Sequence, residues 1–255
     1  MNIPRVIPCL LLRGSGLVKT SRFRDPVYLG DPRNTIKIFN EKGVDELIFL
    51  DITATIEKRE PNFELISEIT SECFMPLGYG GGIRNLTQME RLFKIGVEKV
   101  AVNTSAVENP ELVKEAARIF GSQSIVVSLD VKRGVFGNYE IVLGGGKRKS
   151  GIEPVGFAKR MEEAGAGEIL LNAVDRDGTM QGYDIDLIRS VTNAVSLPVI
   201  ACGGAGKTED LGRAILEGGA SAVAAGSIFV FHGRHRAVLI NFPKRNELER
   251  IFIEH

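Results

Sequence analysis

Short apolar, β-branched runs alternate along the chain with longer segments in which apolar positions recur every three or four residues. This is the pattern of an α/β protein built on a parallel sheet. Eight runs read as strands: Val6–Leu12, Glu46–Ile52, Met75–Tyr79, Lys99–Asn103, Ser124–Val131, Glu168–Asn172, Pro198–Cys202 and Ala220–Ala225. Helical segments are expected near 32–42, 62–73, 86–95, 110–120, 154–164, 184–195, 207–217 and 242–254, with Asn109 as a cap and Pro110 as a first helical residue. Eight such units in 255 residues predict one closed (β/α)8 TIM barrel, a single domain over residues 1–255 with no linker or composition break. A doubly wound open sheet would need a Gly-rich dinucleotide turn after its first strand, and Arg13-Gly-Ser-Gly16 does not supply one.

Internal repetition favours the barrel. A helix end, a glycine and a strand start recur in EKGVDELIF (41–49), KIGVEKVAV (94–102), EAGAGEILL (163–171) and EGGASAVAA (217–225); glycine suits the left-handed turn that ends many helices. At a wider spacing of about 120 residues, LDIT (50–53) answers VDRDGT (174–179), GYGGGI (78–83) answers ACGGAG (201–206), and VNTSA (102–106) answers AAGSI (224–228). Two half-barrels so related place paired features on opposite sides of one mouth.

Composition narrows the function classes. With 44% hydrophobic and 25% charged residues the chain has material for a large core, and 32 Lys+Arg balance 32 Asp+Glu, so no global field recruits nucleic acid or an anionic membrane. The run Val6–Leu12 contains Pro8, follows Arg5 and lacks a cleavage-type sequence, which fits neither a signal peptide nor a membrane span; the expectation is a cytoplasmic protein. Cys9, Cys73 and Cys202 lack disulfide or metal spacing, and His232 and His235 read as a solvated turn with Arg234 and Arg236, so neither metal nor cofactor is expected.

In barrels of this kind the loops after the strands carry the chemistry. Strands three and seven end in Gly80-Gly81-Gly82 and Gly203-Gly204-Ala205-Gly206; strands four and eight end in Asn103-Thr104 and Gly226-Ser227. Small residues let backbone N–H groups converge on an anion, and a hydroxyl adds a donor. Four loops in matching places predict a ligand with a phosphate at each end. A single loop of this kind reads equally well as a tight turn. The basic run Gly144–Lys149 reads as a hairpin tip after strand five, either over a phosphate or solvated. Asp51, Asp130, Asp175 and Asp177 end or follow strands, where a carboxylate can exchange protons with a ligand. Asp51 and Asp175 read better as loop caps or partners of Arg176. Asp130 lies in SLDVK, whose half-barrel counterpart CLLLR places Leu11 opposite it.

The strings RVIPCL, DELIFLDIT, GGGI, VNT, AVENPELV, FGSQSIVVSLD, GAGEILL, DRDGT, GYD and IACGGAG occur in this order over nearly the whole chain. In them the chain resembles the cyclase subunit family of imidazole glycerol phosphate synthase, the barrel half of a glutamine amidotransferase. The resemblance implies that ammonia from a glutaminase partner enters the barrel floor, crosses its centre and meets a bisphosphate-like substrate at the top. It implies a gate of Arg5, Glu46, Lys99 and Glu168, a catalytic role for Asp130, and a flexible covering loop with Lys19. It further implies ligand contacts at Gly82, Asn103, Thr104, Asp177, Gly178, Gly203, Gly204, Gly226 and Ser227. Such a gate also reads simply as a stabilising ring on a barrel floor.

The departures cluster at the top. Leu11 stands where the family has its second catalytic aspartate, Ala101 and Cys202 where it has serines, Asn172 where it has a threonine, and Thr20 where it has a glycine. Together with VKTSRFRDPVYLGDP (18–32) and HGRHRAVLINFP (232–243), they make the chain similar to a paralogous group that works with a glutaminase and a sugar amidotransferase in surface-polysaccharide synthesis. Three functions follow: a competent cyclase, an ammonia-handling subunit of another amidating complex, and a stand-alone phosphosugar isomerase. The second is the expected one, because Leu11 removes an acid and the gate residues are complete.

Overall fold

A computed structural model describes residues 3–233 and 235–253 of the chain. Eight parallel strands close on themselves: β1 (Arg5–Arg13), β2 (Leu47–Asp51), β3 (Leu77–Gly80), β4 (Lys99–Val102), β5 (Ile125–Arg133), β6 (Glu168–Ala173), β7 (Val199–Cys202) and β8 (Ala222–Ala225). Neighbours in sequence pair with one another, and β8 pairs with β1 through Arg5 opposite Ala222, which closes the (β/α)8 barrel. The helices between them are α1 (Pro32–Lys42), α2 (Phe63–Glu72), α3 (Leu86–Lys94), α4 (Pro110–Phe120), α5 (Pro154–Glu163), α6 (Ile185–Thr192), α7 (Thr208–Leu216) and α8 (Arg245–Ile253).

All eight expected strands and eight expected helices are found, with ends moved by no more than three residues. The third strand begins at Leu77 rather than Met75, because Pro76 has no amide for the ladder and its carbonyl instead accepts from the amide of Leu47. Pro110 opens α4 as expected, but the Asn109 side chain makes no capping hydrogen bond. The expected end of the last helix at Glu254 lies outside the described residues, as does Arg234 of the expected histidine-arginine turn; His232 and His235 are exposed.

The segment expected as a covering loop with Lys19 is built as a hairpin, in which Gly16–Ser21 runs antiparallel to the end of β1 and to Arg24–Gly30. Ser21 pairs with Arg24 across Arg22 and Phe23, both at positive φ (51° and 62°). That is the backbone of a type I′ turn, usually made by Asn-Gly, so this sequence carries no turn signal. A second hairpin, Tyr139–Leu143 with Arg148–Lys149, extends β5 and carries the basic tip at 144–149.

Side chains along a strand alternate between the two faces of the sheet. One set, with Val6, Leu10 and Leu12 of β1, packs with Ile36, Phe39, Leu92 and the other helix residues into the outer core. The alternate set, Ile7, Cys9, Ile48, Ala101, Val126, Leu170, Ile200, Cys202, Ala222 and Ala224, includes no helix residue and fills the barrel. The same parity leads down β1 from Leu11 through Cys9 and Ile7 to Arg5, and down β4 from Asn103 through Ala101 to Lys99. Mouth and floor are therefore the two ends of one inward-facing column, about 13 Å apart along β4 and about 20 Å apart along β1, with an apolar middle.

Candidate functional site

The floor is built first by strand starts. Arg5, Lys99 and Glu168 are the first residues of β1, β4 and β6, and Glu46 immediately precedes β2. Arg5 pairs with Glu46 and Glu168, and Lys99 donates to Glu46 at 3.0 Å and to Glu168 at 2.9 Å. Each cation bridges both carboxylates, so the four side chains form a closed, charge-balanced ring. Burial opposes the charge on Arg5, but Glu46 and Glu168 outweigh it and hold the guanidinium above its ordinary pKa. A ring held this way is stable while complete and costly to break at one member.

The other end opens into a cavity of about 790 Å³. Its wall contains Leu11, Lys19, Gly82, Asn103, Thr104, Asp130, Asp177, Gly178, Gly203, Gly204, Gly226 and Ser227, but neither Gly206 nor Asp175. None of the four floor residues lines it. The Gly-rich loops are tight for backbone reasons that need no ligand: a Cβ on Gly81 would stand 2.4 Å from the Asp51 carbonyl oxygen, and one on Gly204 would stand 2.2 Å from that of Gly182. The Gly82 amide already donates to Thr55 Oγ1 at 3.2 Å. After β4 and β8, Asn103 and Gly226 share one backbone conformation (φ −117°, ψ −81° and φ −112°, ψ −66°), each opening a single helical turn. The Ser227 hydroxyl is buried there without a hydrogen-bond partner.

Asp130 lies opposite Asn172 in the β5–β6 register. Its Oδ2 accepts from Asn103 Nδ2 at 2.7 Å, and its Oδ1 accepts from Asn172 Nδ2 at 3.2 Å. Desolvation pushes its pKa up to about 7, the nearby Asp177 adds to the rise, and the two amides oppose it. A carboxyl poised there can give or take a proton near neutrality. The oxygens of both amides, Asn103 Oδ1 and Asn172 Oδ1, are buried without partners.

The Lys19 hairpin lies over the loop after β6. Lys19 Nζ pairs with Asp177 Oδ1 at 2.8 Å, Thr20 Oγ1 donates to Asp177 Oδ2 at 3.1 Å, and the Arg22 amide donates to the Asp177 carbonyl at 2.8 Å. Gly178 is needed beneath it, since a Cβ there would stand 2.2 Å from the Thr20 carbonyl oxygen. Lys19 is itself buried, its stem against Gly226. The sequence marks Lys19 and Asp177 separately but gives no sign of their pairing, which joins positions far apart in the chain.

Asp51 and Asp175 serve the local structure, though not through Arg176. Asp51 accepts from the amides of Thr53 and Ala54, both at 3.0 Å, and pairs with Arg59 at 2.8 Å. Asp175 accepts from the Arg133 amide at 2.8 Å. The basic hairpin does reach the mouth: Lys147 and Arg148 line it, and Arg148 pairs with Glu108. Arg84 and Lys58, which the sequence did not single out, line it as well.

A family model described as "Histidine biosynthesis protein" matches residues 5–236. The chain is 52% identical over 245 residues to "Putative imidazole glycerol phosphate synthase subunit hisF2" of Pseudomonas aeruginosa, covering 96% of this chain and 98% of that one. It is 46% identical over 250 residues to "Putative imidazole glycerol phosphate synthase subunit HisF" of Leptospira interrogans, covering 98% of each chain. It is 45% identical over 232 residues to "Imidazole glycerol phosphate synthase subunit HisF" of Alkaliphilus metalliredigens, covering 91% of this chain and 92% of that one.

Proposed function

Since this chain belongs to the histidine biosynthesis protein family, we propose that it is the barrel subunit of a glutamine amidotransferase complex, receives ammonia from a glutaminase partner, and serves the amidation of a sugar in surface-polysaccharide synthesis. The observation that carries this reading is the polarity of the inward column: an ionic ring at the floor, an apolar middle, and at the mouth a carboxyl, Asp130, in the same wall as Leu11. Ammonia is small and neutral, and an apolar interior excludes ions more strongly than it excludes ammonia. Arg5, Glu46, Lys99 and Glu168 act as the gate to that interior.

At the mouth, the loops at Gly82, Asn103-Thr104, Gly203-Gly204 and Gly226-Ser227, with Lys19, Asp177 and Gly178, hold a phosphorylated ligand. Asp130 moves the proton. A leucine cannot share that work, so imidazole ring closure by this chain is expected to be down by about 10² to 10⁴-fold relative to a site with two opposed acids. A second reading, an authentic cyclase of histidine biosynthesis, is favoured by the wall of the mouth, in which all four expected loops take part.

Co-purification with the glutaminase and the neighbouring sugar-modifying enzyme, followed by a glutamine-dependent amination assay, tests the first reading. Amidation of the sugar with background cyclisation is the expected result, together with a small gain of cyclisation in Leu11→Asp. Wild-type cyclisation from free ammonia at about 1 per second or faster, lost in Asp130→Asn, would establish the second reading instead.

A further inference from the structure

Asp130 is a partly buried carboxyl that pairs with no cation among the described residues. The charged group that acts on it is Asp177, whose own charge is matched by Lys19; Cys9 and Leu11 of β1 and Cys202 of β7 line the same cavity, while Lys99 and Glu168 belong to the floor ring. Two amides donate to the carboxyl, yet their own oxygens, Asn103 Oδ1 and Asn172 Oδ1, are shielded from water with no donor. Gly203 has no side chain where a Cβ would come within 2.7 Å of Asn172 Oδ1. Buried oxygens of this kind are costly unless a ligand supplies the donors.

The set therefore calls for a ligand rich in N–H or O–H donors and carrying one positive charge. A phosphate brings acceptors and negative charge. A water molecule has two donors for three groups, whereas ammonium has four donors and the single charge that neutralises one carboxylate.

We propose that Asp130, Asn103 and Asn172 form an ammonium seat at the inner end of the mouth, where the Asp130 carboxyl gives its proton to arriving ammonia and holds the resulting ion. The O–H bond of the acid breaks, an N–H bond forms, and the carboxylate and ammonium stay paired. When an acceptor is in place the proton returns to Asp130 and ammonia leaves, so the cycle consumes no proton. This rests on the reading of the chain as an ammonia-receiving subunit, and it explains what a carboxyl that shares its wall with a leucine can do: hold the nucleophile for another enzyme instead of closing a ring. Asn172, where the resembled family has a threonine, supplies the acceptor on one side.

The test follows the ¹³C shift of the Asp130 carboxyl in the full chain through pH titrations below pH 8, in sodium, tetramethylammonium or ammonium chloride at equal ionic strength. Because ammonium binds the carboxylate form, it is expected to lower the apparent pKa by about 1 unit, equivalent to a tenfold preference for that form, while the other two cations do not. Asn172→Leu is expected to abolish the ammonium effect, and Asn103→Leu gives an independent check should the first variant fail to fold. An equal shift with sodium or tetramethylammonium, no shift with ammonium, or an effect that survives in the folded variants would overturn the seat. An ammonium-specific shift in a chain that supports no glutamine-driven amination would sustain the seat and sink the subunit reading. Intact glutamine-driven amination without the shift would overturn the seat alone.

Discussion

Asp130 shows how one residue's surroundings set both chemistry and stability. Its folded-state pKa, about 7, lies above the ordinary 3.8 because burial disfavours the charged form. Between these values the folded state holds a proton that the unfolded chain has released, so stability falls as pH rises from about 4 to about 7; below that window the term vanishes. Asp130→Asn cannot titrate. Its stability relative to the parent is therefore expected to improve between pH 4 and pH 8, by up to about 4 kcal/mol if the full shift is realised, a trend that urea denaturation at the two pH values would measure. A parallel pH dependence in parent and variant would show that the carboxyl is not held neutral by its site. Glycine positions offer a second contrast at this scale. A Cβ added at Gly14 (φ 62°) would meet nothing within 4 Å, whereas one added at Gly204 (φ 119°) would stand 2.2 Å from the Gly182 carbonyl oxygen. Gly14→Ala is expected to cost about 1 kcal/mol from backbone conformation alone, and Gly204→Ala more than about 3 kcal/mol, read from urea midpoints. The mouth residues were legible in the sequence because they sit where strands end. The roles of Asn103 and Asn172 toward Asp130 were not, because a hydrogen bond between neighbouring strands leaves no periodic trace.

The Lys19 hairpin makes the same point for a whole element. Its turn uses Arg22 and Phe23 where glycine or asparagine would announce an I′ geometry, and its second strand is largely exposed. Local sequence therefore gives neither a turn nor an apolar face to reveal it. What positions it is non-local: the buried Lys19–Asp177 pair and the Arg22 amide on the loop after β6. Removing one partner leaves the other charge buried, so Lys19→Met is expected to lose about 3 kcal/mol, and adding Asp177→Asn should recover part of it. Limited proteolysis within 16–30 would report whether the lost contact frees this element; faster cleavage in Lys19→Met than in the double variant is the expected order. Unchanged stability and cleavage would mean that the hairpin is held by its pairing with β1 alone. The strands and long helices were easier to read, since each buries a face whose period of 2 or 3.6 is written in the chain. The one-turn helices after β4 and β8 have no such face and emerge only from the loop conformation at Asn103 and Gly226.

Across the whole molecule the half-barrel repeat seen in the sequence reappears as backbone geometry. The residues capping α1 and α5, Asp31 and Glu153, have the same φ of −81° with ψ of 132° and 133°; Asn62 and Asp184 before α2 and α6, and Asn85 and Lys207 before α3 and α7, match to within 5°. Only one of these pairs keeps the same carboxyl or amide chemistry between its members, so the repeat persists in the backbone where residue identity has diverged, and the sequence shows it only in the short motifs at the strand ends. In the proposed function the two halves part at Leu11 and Asp130, which share the wall of the mouth. The two ends of the inward column are therefore expected to fail differently. If the floor ring passes ammonia from a partner, Lys99→Met should reduce glutamine-driven amination while leaving amination from added ammonium salt near the parental rate, because free ammonia reaches the mouth directly from solution. Its buried glutamates would also be less well paired, so stability must be measured alongside, with a loss of about 2 kcal/mol expected. Asp130→Asn should reduce both routes to the same degree, since both meet at the mouth. The quantity to compare is the ratio of the two rates under saturating acceptor: it should fall about tenfold or more in a folded Lys99→Met and stay constant in Asp130→Asn. Equal loss of both routes in the floor variant would instead make the ring a structural brace, and ammonia would have to enter the complex by another path.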